Sequence, residues 1–208
     1  MPTSTFFNLP ATKQQRIIKA AIEEFSQYCF SHASINRIIK GSEIPRGSFY
    51  QYFHGKEDLY LYLMEQIGKE KLEVFARHKI FLENQSFFEV AKASMPAILE
   101  WVAKHPDYNK IGMLMTRDGS DFIRHITKKM DSRGMLTRLL QEDQDRGLIR
   151  SDIDPALVAQ MYLAMVEDLL SEFYLTEKPD QAMEKAVQML DILGMGILTR
   201  KEKVHEQL

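Results

Sequence analysis

The chain has 208 residues, of which 45% are apolar and 27% are charged, and its formal net charge at pH 7 is −2. This length allows one large domain or a small domain followed by a larger one, and the composition excludes a disordered chain. The single cysteine, Cys29, excludes a scaffold held by internal disulfides, and no segment offers the roughly 18 uninterrupted apolar residues that a membrane-spanning helix needs. We therefore expect a cytoplasmic protein.

Charge is distributed unevenly along the chain. Residues 1–56 contain seven Lys and Arg against three Glu, a net charge of +4, whereas residues 57–208 contain twenty basic and twenty-six acidic residues, a net charge of −6. A basic end on an acidic body is expected when one end of a protein meets a polyanion. An ordinary solvated face has the same composition, so the charge alone does not decide between the two.

Three short helices are predicted in the N-terminal quarter. Apolar residues at helical spacing predict an amphipathic helix over about residues 12–28. Ser34 is placed to cap a second helix that ends near Lys40. Gly41 then allows the chain to reverse, and Pro45 has the fixed φ that suits the first turn of a third helix. This arrangement predicts a helix-turn-helix, in which the third helix enters the DNA major groove.

The third predicted helix contains the sequence GSFYQYF, which begins at Gly47. Phe49 and Phe53 are four residues apart, so they share a face that can pack on the preceding helices. The polar residues around them suit DNA, because Arg matches guanine or phosphate, Gln matches adenine, and Ser and Tyr hydroxyls match phosphate oxygens. In the alternative interpretation, the tyrosines only cover a small core and Arg46 is solvated.

Residues 13–60 resemble the N-terminal DNA-binding domain of the TetR family of bacterial transcriptional repressors. The resemblance rests on the apolar spacing of the first helix up to Phe25, on SINRII, and above all on GSFYQYFHGKEDL. It implies an all-α fold of about nine helices, with a three-helix DNA-binding domain over residues 1–56. Residues 57–208 would then form a larger helical domain for effector binding and dimerisation.

The resemblance also implies which residues contact DNA. Two residues of the second helix would touch phosphate or base edges, the residues from Pro45 onward would form the reading surface, and Lys56 would clamp a phosphate. The implied DNA-binding residues are Ser34, Arg37, Pro45, Arg46, Gly47, Ser48, Tyr50, Gln51, Tyr52 and Lys56.

Three positions depart from the pattern of the family. Cys29 and Glu43 stand where the family usually has glycine or a similar residue, and Pro45 stands where it often has Ser or Thr. A left-handed conformation at Glu43 would cost roughly 1 kcal/mol and would place a negative charge near DNA. We therefore expect the turn to be shaped differently from the usual one.

Beyond residue 56 the apolar periodicity stays helical. Breaks near Asn84, Pro106, Gly119, Pro155 and Pro179 predict about six further helices. The sequence RGLIRSDIDP, residues 146–155, resembles the link that often precedes the penultimate helix of this family.

The last two predicted helices, over about residues 154–176 and 180–203, are amphipathic. Such a pair can dock on its own copy in a four-helix interface, and the resemblance implies the same homodimer. The alternative is that their apolar stripes only form an intramolecular core. The predicted interface residues are Met161, Met165, Leu169, Met189, Leu193 and Ile197.

A cavity for a small apolar effector is predicted in the larger domain. The chain has twelve methionines, whose flexible side chains adapt to irregular apolar shapes, and the resemblance implies such a cavity. The alternative is that these aromatic and Met side chains are ordinary core. The predicted pocket residues are Trp101, Tyr108, Met113, Arg117, Phe122, His125 and Tyr162.

Motifs for catalysis or metal binding are absent from the sequence: there is no GxSxG, glycine-rich phosphate loop, HExxH or cysteine cluster. One Glu-x-x-His pair, Glu202 and His205, is interpreted as solvated surface. We expect no enzyme, cofactor or metal. The predicted function is a homodimeric repressor that binds a near-palindromic operator and is released by a small apolar or aromatic ligand. The alternatives are a constitutive DNA-binding dimer without effector, and a helical ligand-binding or enzymatic dimer that does not act on DNA.

Overall fold

A computed structural model describes residues 1–78, 80, 84–129, 132–176 and 179–198. Over these residues the regular structure is helical, apart from an isolated antiparallel bridge between Ile149 and Leu198. The predicted all-α class is confirmed. Within the described ranges no helix is long and apolar enough to cross a membrane. The α-helices are α1 (Ser4–Phe7), α2 (Ala11–Gln27), α3 (Ile35–Gly41), α4 (Arg46–Tyr52), α5 (Lys56–Arg77), α6 (Phe87–Lys104), α7 (Pro106–Arg117), α8 (Asp121–Lys129), α9 (Ser132–Asp145), α10 (Pro155–Thr176) and α11 (Pro179–Ile197), with a 3₁₀ turn at Phe30–His32.

The predicted helices agree with the structure except at two places. Helices α2, α3 and α4 match the three predicted N-terminal helices to within one or two residues, but the short α1 was not predicted. In the described ranges, seven helical segments rather than six begin at or after residue 56, and two of them, α8 and α9, lie where the sequence predicted one helix. The predicted end of the last helix at residue 203, together with Glu202 and His205, lies outside the described residues.

The first compact unit comprises residues 1–74 and 101–130, so α7 and α8 belong with the N-terminal helices. Ile111 of α7 and two isoleucines of α8 join the same core cluster as the aromatic residues of α1, α2 and α4. Burial of this apolar surface stabilises the short helices, which could not persist alone. The division of functions at residue 56 stays a prediction.

The second compact unit comprises residues 75–100 and the chain from residue 131 onward. Its buried acid is Asp143 of α9, whose carboxylate accepts a hydrogen bond from the Phe87 N–H at 2.7 Å and one from Arg146 Nη2 at 2.6 Å. Asp143 therefore satisfies a free N–H at the start of α6, where a negative charge is also favoured by the helix dipole.

The segment before α10 holds the end of α11. The backbone N–H of Arg150 donates to the Ile197 carbonyl at 3.0 Å, and Arg150 Nη1 donates to the Gly196 carbonyl at 3.1 Å. A cation that bonds the last carbonyls of a helix satisfies free acceptors and opposes the negative end of the dipole. The RGLIRSDIDP sequence thus fixes the C-terminal end of α11.

Candidate nucleic-acid interface

The turn between α3 and α4 is left-handed at Glu43, whose φ is 52°. The N–H of Ile44 bonds the Ile39 carbonyl at 3.3 Å, and the N–H of Glu43 bonds the Lys40 carbonyl at 3.2 Å. This pair of bonds is the Schellman ending of a helix, in which glycine usually takes the left-handed position. Glu43 thus adopts the left-handed conformation considered from the sequence, but within an ordinary Schellman turn rather than a differently shaped one. Arg16 Nη1 lies 3.4 Å from its carboxylate.

Helix α4 is buried on one face and exposed on the other. Phe49 and Phe53 are fully buried, as predicted from their spacing. On the opposite side Gly47 is exposed, and a Cβ added there would meet nothing within 4 Å. The exposed and half-buried residues of α4 and its N-cap form what we call the reading surface: Pro45, Arg46, Gly47, Ser48, Tyr50 and Gln51.

Tyr52 does not belong to this surface, because its side chain is only 4% exposed. Its ring lies against Phe6, with 6.5 Å between ring centroids, and Lys13 Nζ lies 5.5 Å from the ring centroid. The reason is its spacing, since Tyr52 follows Phe49 by three residues and shares the buried face. The sequence-based placement of this side chain on the reading surface was wrong.

The start of α3 is capped by a buried acid of α2. Ser34 occupies the predicted N-cap position, but its side chain makes no capping hydrogen bond. Instead, Glu24 Oε1 accepts a hydrogen bond from the Ser34 N–H at 2.6 Å. Glu24 therefore satisfies the N–H of the N-cap residue itself, and the Ser34 hydroxyl, which makes no capping bond, is left available for another contact.

Arg37 is fixed by the same carboxylate. Its Nε lies 2.9 Å from Glu24 Oε2 and its Nη2 lies 2.6 Å from Glu24 Oε1, while Nη2 also donates to the His32 carbonyl at 3.0 Å. Hydrogen bonding to Glu24 raises the pKa of Arg37 above its ordinary value. The guanidinium is exposed and rests on the Tyr28 ring, 4.1 Å from its centroid. Arg37 thus presents a fixed positive charge at the start of α3.

Lys56 is held by backbone carbonyls at the 3₁₀ turn. Its Nζ donates to the Phe30 carbonyl at 2.6 Å and to the Ala33 carbonyl at 2.9 Å, and it lies 4.5 Å from the Phe30 ring centroid. An ammonium group has three donors, so one remains for a phosphate. Sequence reasoning missed the structural role of Lys56, because neighbours more than twenty residues away give no local signal.

A second connection joins the 3₁₀ turn to the segment between α7 and α8. Asp118 is buried, and its carboxylate accepts hydrogen bonds from the N–H of Ser31 at 2.7 Å and the N–H of Ser120 at 2.9 Å. Burial alone would raise the pKa of Asp118, but these hydrogen bonds lower it below its ordinary value. Phe122 packs on Phe30 beside this site, with 4.4 Å between ring centroids.

Comparisons with known proteins identify this arrangement. A sequence profile described as "Bacterial regulatory proteins, tetR family" matches residues 17–63. The chain is 27% identical over 195 residues to the uncharacterized HTH-type transcriptional regulator YdgC of Bacillus subtilis (strain 168), covering 92% of this chain and 95% of YdgC. The crystal structure of a TetR family transcriptional regulator from Chloroflexus aurantiacus J-10-FL superposes with a TM-score of 0.78 and 26% identity, covering 96% of this chain and 100% of that chain. Residues 17–63 therefore match the DNA-binding domain of the TetR family, and the chain is similar to TetR-family regulators over most of its length.

With this domain the protein is a DNA-binding transcriptional regulator, as the sequence predicted. Its fold is also similar to that of the regulator FadR from Bacillus subtilis, crystallised in complex with stearoyl-CoA, with a TM-score of 0.66 and 21% identity over 88% of this chain and 98% of that chain. Over the described part of the chain, no group of three or more His, Cys, Asp or Glu side chains could hold a metal ion.

Six of the predicted pocket residues lie in the first compact unit. Trp101 and Tyr108 are brought together through His105, which the sequence did not single out: ring centroids are 4.2 Å apart for Trp101 and His105, and 5.2 Å apart for His105 and Tyr108. Met113 is half-buried on the same helix as Tyr108. The other three predicted pocket residues of this unit do not join the stack: Arg117 and His125 are exposed, and Phe122 packs on Phe30.

The seventh predicted pocket residue, Tyr162, lies in the second compact unit. Its hydroxyl is 3.2 Å from Ser94 Oγ, and burial raises its pKa. It lines a cavity of about 10 Å³ together with Met95 and Leu169, which leaves space for no more than one water molecule.

The predicted dimer residues divide into buried and exposed ones. Three of them are buried within the second compact unit: Leu169, Leu193 and Ile197. These three side chains pack as intramolecular core, which was the alternative interpretation. Met161 is exposed, and it lines a shallow apolar hollow of about 390 Å³ with half-buried Met165 and Met189. The sequence did not single out two strongly exposed apolar residues of α11, Ile192 at 66% and Met195 at 75%, of which Ile192 lines the same hollow.

Proposed function

We propose that this regulator is a repressor that binds a near-palindromic operator as a homodimer and is released by a small apolar or aromatic ligand. The observation that carries the proposal is the division of α4, which buries Phe49, Tyr52 and Phe53 and leaves the polar reading surface open to solvent. A short helix anchored on one side and polar on the other is what major-groove insertion requires.

The reading surface has side chains for both phosphate and base edges. Arg46 suits a guanine edge, Gln51 suits adenine, and the Ser48 and Tyr50 hydroxyls suit phosphate oxygens. Arg37, which is fixed by Glu24, adds a positive charge in α3. Lys56 adds another at the start of α5, with one N–H donor left for a phosphate. We keep nine of the ten predicted DNA-binding residues in this proposal and leave out Tyr52, because its side chain is buried.

A homodimer is supported by the apolar face of α10 and α11. Leu157, Met161, Ile192 and Met195 are exposed apolar residues of these two helices, and Met161 and Ile192 line the same apolar hollow with half-buried Met165 and Met189. A cluster of this kind marks an interface more often than a solvated surface. Docking on a second copy would cover it and would place two reading helices on one operator, as a two-fold symmetric site requires.

An effector of apolar character is supported by likeness to FadR, which was crystallised with stearoyl-CoA. The Trp101, His105 and Tyr108 stack offers aromatic surface to such a ligand. A ligand that binds better to a conformer unsuited to the operator lowers DNA affinity by its differential binding free energy. Release on ligand binding is the expected direction for a repressor.

The test is selection of bound fragments from random double-stranded DNA, followed by anisotropy titration of the enriched sequence at several salt concentrations. We expect an inverted repeat, and a steep fall in affinity with rising salt because phosphate contacts release counterions. If no sequence is enriched and binding stays weak at low salt, the proposal of an operator is wrong.

The effector is tested with the same probe. Long-chain acyl-CoA and aromatic carboxylates are titrated into the protein–DNA complex, and a true effector should both release DNA and raise the thermal unfolding temperature. A regulator whose DNA affinity does not change with any of these ligand classes would be the constitutive dimer instead.

A further inference from the structure

The reading helix α4 has only seven residues, and its C-terminal end needs outside support. The last four carbonyls of any α-helix lack partners within the helix, and so short a helix is unstable without tertiary contacts. The Phe49 carbonyl is satisfied by the Phe53 N–H at 2.9 Å. The carbonyls of Gln51 and Tyr52 require other donors.

Thr3 supplies both of these donors from the N-terminal segment. Its backbone N–H donates to the Tyr52 carbonyl at 2.9 Å, and its hydroxyl Oγ1 donates to the Gln51 carbonyl at 2.6 Å. One residue, almost fifty positions away in sequence, therefore caps the end of α4. Thr3 itself has an extended backbone, with φ of −74° and ψ of 163°, so a β-branched residue fits without strain.

Phe6 fixes Thr3 in this position. Its side chain is fully buried, with ring centroids 4.9 Å from Phe53 and 5.5 Å from Tyr62. At the other end of this N-terminal segment, Gln14 Nε2 donates a hydrogen bond to the Leu9 carbonyl at 2.8 Å. Residues 3–9 are thus anchored at both ends, and the cap is part of the folded first compact unit.

We propose that Thr3 and Phe6 are positioning residues for DNA recognition: they hold the C-terminal turn of α4, and thereby Tyr50 and Gln51, in the conformation that fits the major groove. The inference rests on the proposed function, and adds residues that touch no DNA. Fraying of the last turn would lower the population of the binding-competent helix, and the apparent operator affinity falls in the same proportion.

The cap is tested with Thr3→Val, which removes the hydroxyl donor and keeps the shape and the backbone N–H. We expect operator affinity to fall about threefold to tenfold, the range of one net hydrogen bond. The slope of affinity against salt should stay that of the wild type, because no phosphate contact is removed. Thr3→Ser, which restores the hydroxyl, should bind as the wild type does.

The matched control is Thr5→Val, the same substitution at an exposed residue two positions along the chain. It should leave both operator affinity and salt slope unchanged. All titrations are made well below the unfolding temperature of each variant, so that a loss of folded protein is not read as weak binding. Equal affinity of Thr3→Val and Thr5→Val would overturn the proposal.

Amide hydrogen exchange of α4 tests the cap without DNA. Thr3→Val should speed exchange in the last turn, at Tyr52 and Phe53, relative to Thr5→Val, while exchange in α2 stays unchanged. If the wild type selects no operator, the proposed function fails, but faster exchange in Thr3→Val would still support the cap. Unchanged exchange would refute the cap whatever the DNA results.

Discussion

At position 43 the backbone adopts a conformation that non-glycine residues avoid. The sequence marked this position, because a Glu stands where the TetR family usually has a smaller residue. It could not show that the helix ends in a Schellman turn, since that depends on where Ile44 packs. Only Glu43 and Asn84 have positive φ among the described non-glycine residues.

Glu43→Gly should stabilise the protein by about 1 kcal/mol, because glycine adopts the left-handed conformation without the steric cost of a Cβ. The exposed pair with Arg16 is lost, but such pairs contribute little. Glu43→Ala is the control, since it loses the same pair and keeps the Cβ. Urea unfolding measures both variants, and equal stability of the two would show that the turn is unstrained.

Lys56 was placed correctly by its motif, but its structural role was not predicted. The motif GKEDL predicted its position at the start of α5, and this is confirmed. Its bonds to the Phe30 and Ala33 carbonyls arise from tertiary packing and could not be predicted. Lys56 is therefore a structural residue of the first compact unit as well as a candidate phosphate ligand.

We expect Lys56→Met to lower the free energy of unfolding by about 1–3 kcal/mol, since two carbonyls lose a charged donor. A variant designed only to remove a phosphate contact would thus also weaken the fold. Lys19→Met is the control, because the Lys19 side chain is 79% exposed and its ion pair with Glu23, at 3.9 Å, lies on the surface. If the two variants have equal thermal unfolding temperatures, the structural role of Lys56 is contradicted.

The predictable helices were those long enough to show a regular spacing of apolar residues. Helix α4 was predicted because Pro45 and the pair Phe49 and Phe53 mark its start and buried face. Helix α1 was missed, because four residues are too few to show a period, although Phe6 belongs to the core. The exposed side of α4 was predicted well except for Tyr52, where the three-residue spacing to Phe49 was overlooked.

Gly47→Ala separates the two faces of α4. Alanine favours a helix by about 0.5–1 kcal/mol over glycine, and its Cβ meets nothing in the free protein, so stability should rise. Operator affinity should nevertheless fall by about tenfold or more, because the Cβ keeps the backbone away from DNA. Gly68→Ala in α5, also unobstructed, should give the stability gain without the loss of affinity. Normal DNA binding by Gly47→Ala would mean that α4 does not approach DNA there.

Asp118 connects two elements, and its effect depends on pH. Because its pKa is lowered in the folded protein, it contributes stability above the unfolded pKa of about 3.9 and loses it as pH falls through the folded pKa. Asp118→Asn should cost about 1–3 kcal/mol at pH 7, and the difference from wild type should shrink below about pH 4. Asp121→Asn, at a side chain 94% exposed, is the control. A pH-independent difference in urea unfolding would contradict this account.

Over the whole molecule, the sequence predicted the fold class and the family resemblance, but not which helices pack together in each compact unit. Helices α7 and α8 carry no local signal that they pack in the first compact unit, because Ile111 and Ile123 look like any buried isoleucine. Similarly, the spacing of α10 and α11 showed apolar stripes without showing which half faces inward. Leu193 turned inward and Ile192 outward, although the two are neighbours in sequence.

Ile192→Glu tests the assembly that places two reading helices on one operator. Each dimer would bury two copies of Ile192, and an apolar side chain of this size contributes about 1.5–3 kcal/mol on burial. The glutamates should weaken dimerisation more than about a hundredfold, and operator binding should become steeply dependent on protein concentration. Leu148→Glu, which adds the same charge at an exposed leucine outside the apolar hollow, should leave the dimer intact. Sedimentation measures both variants. If Ile192→Glu assembles as the wild type does, the exposed face of α11 is not the dimer interface, and the operator must be read through another arrangement of the protomers.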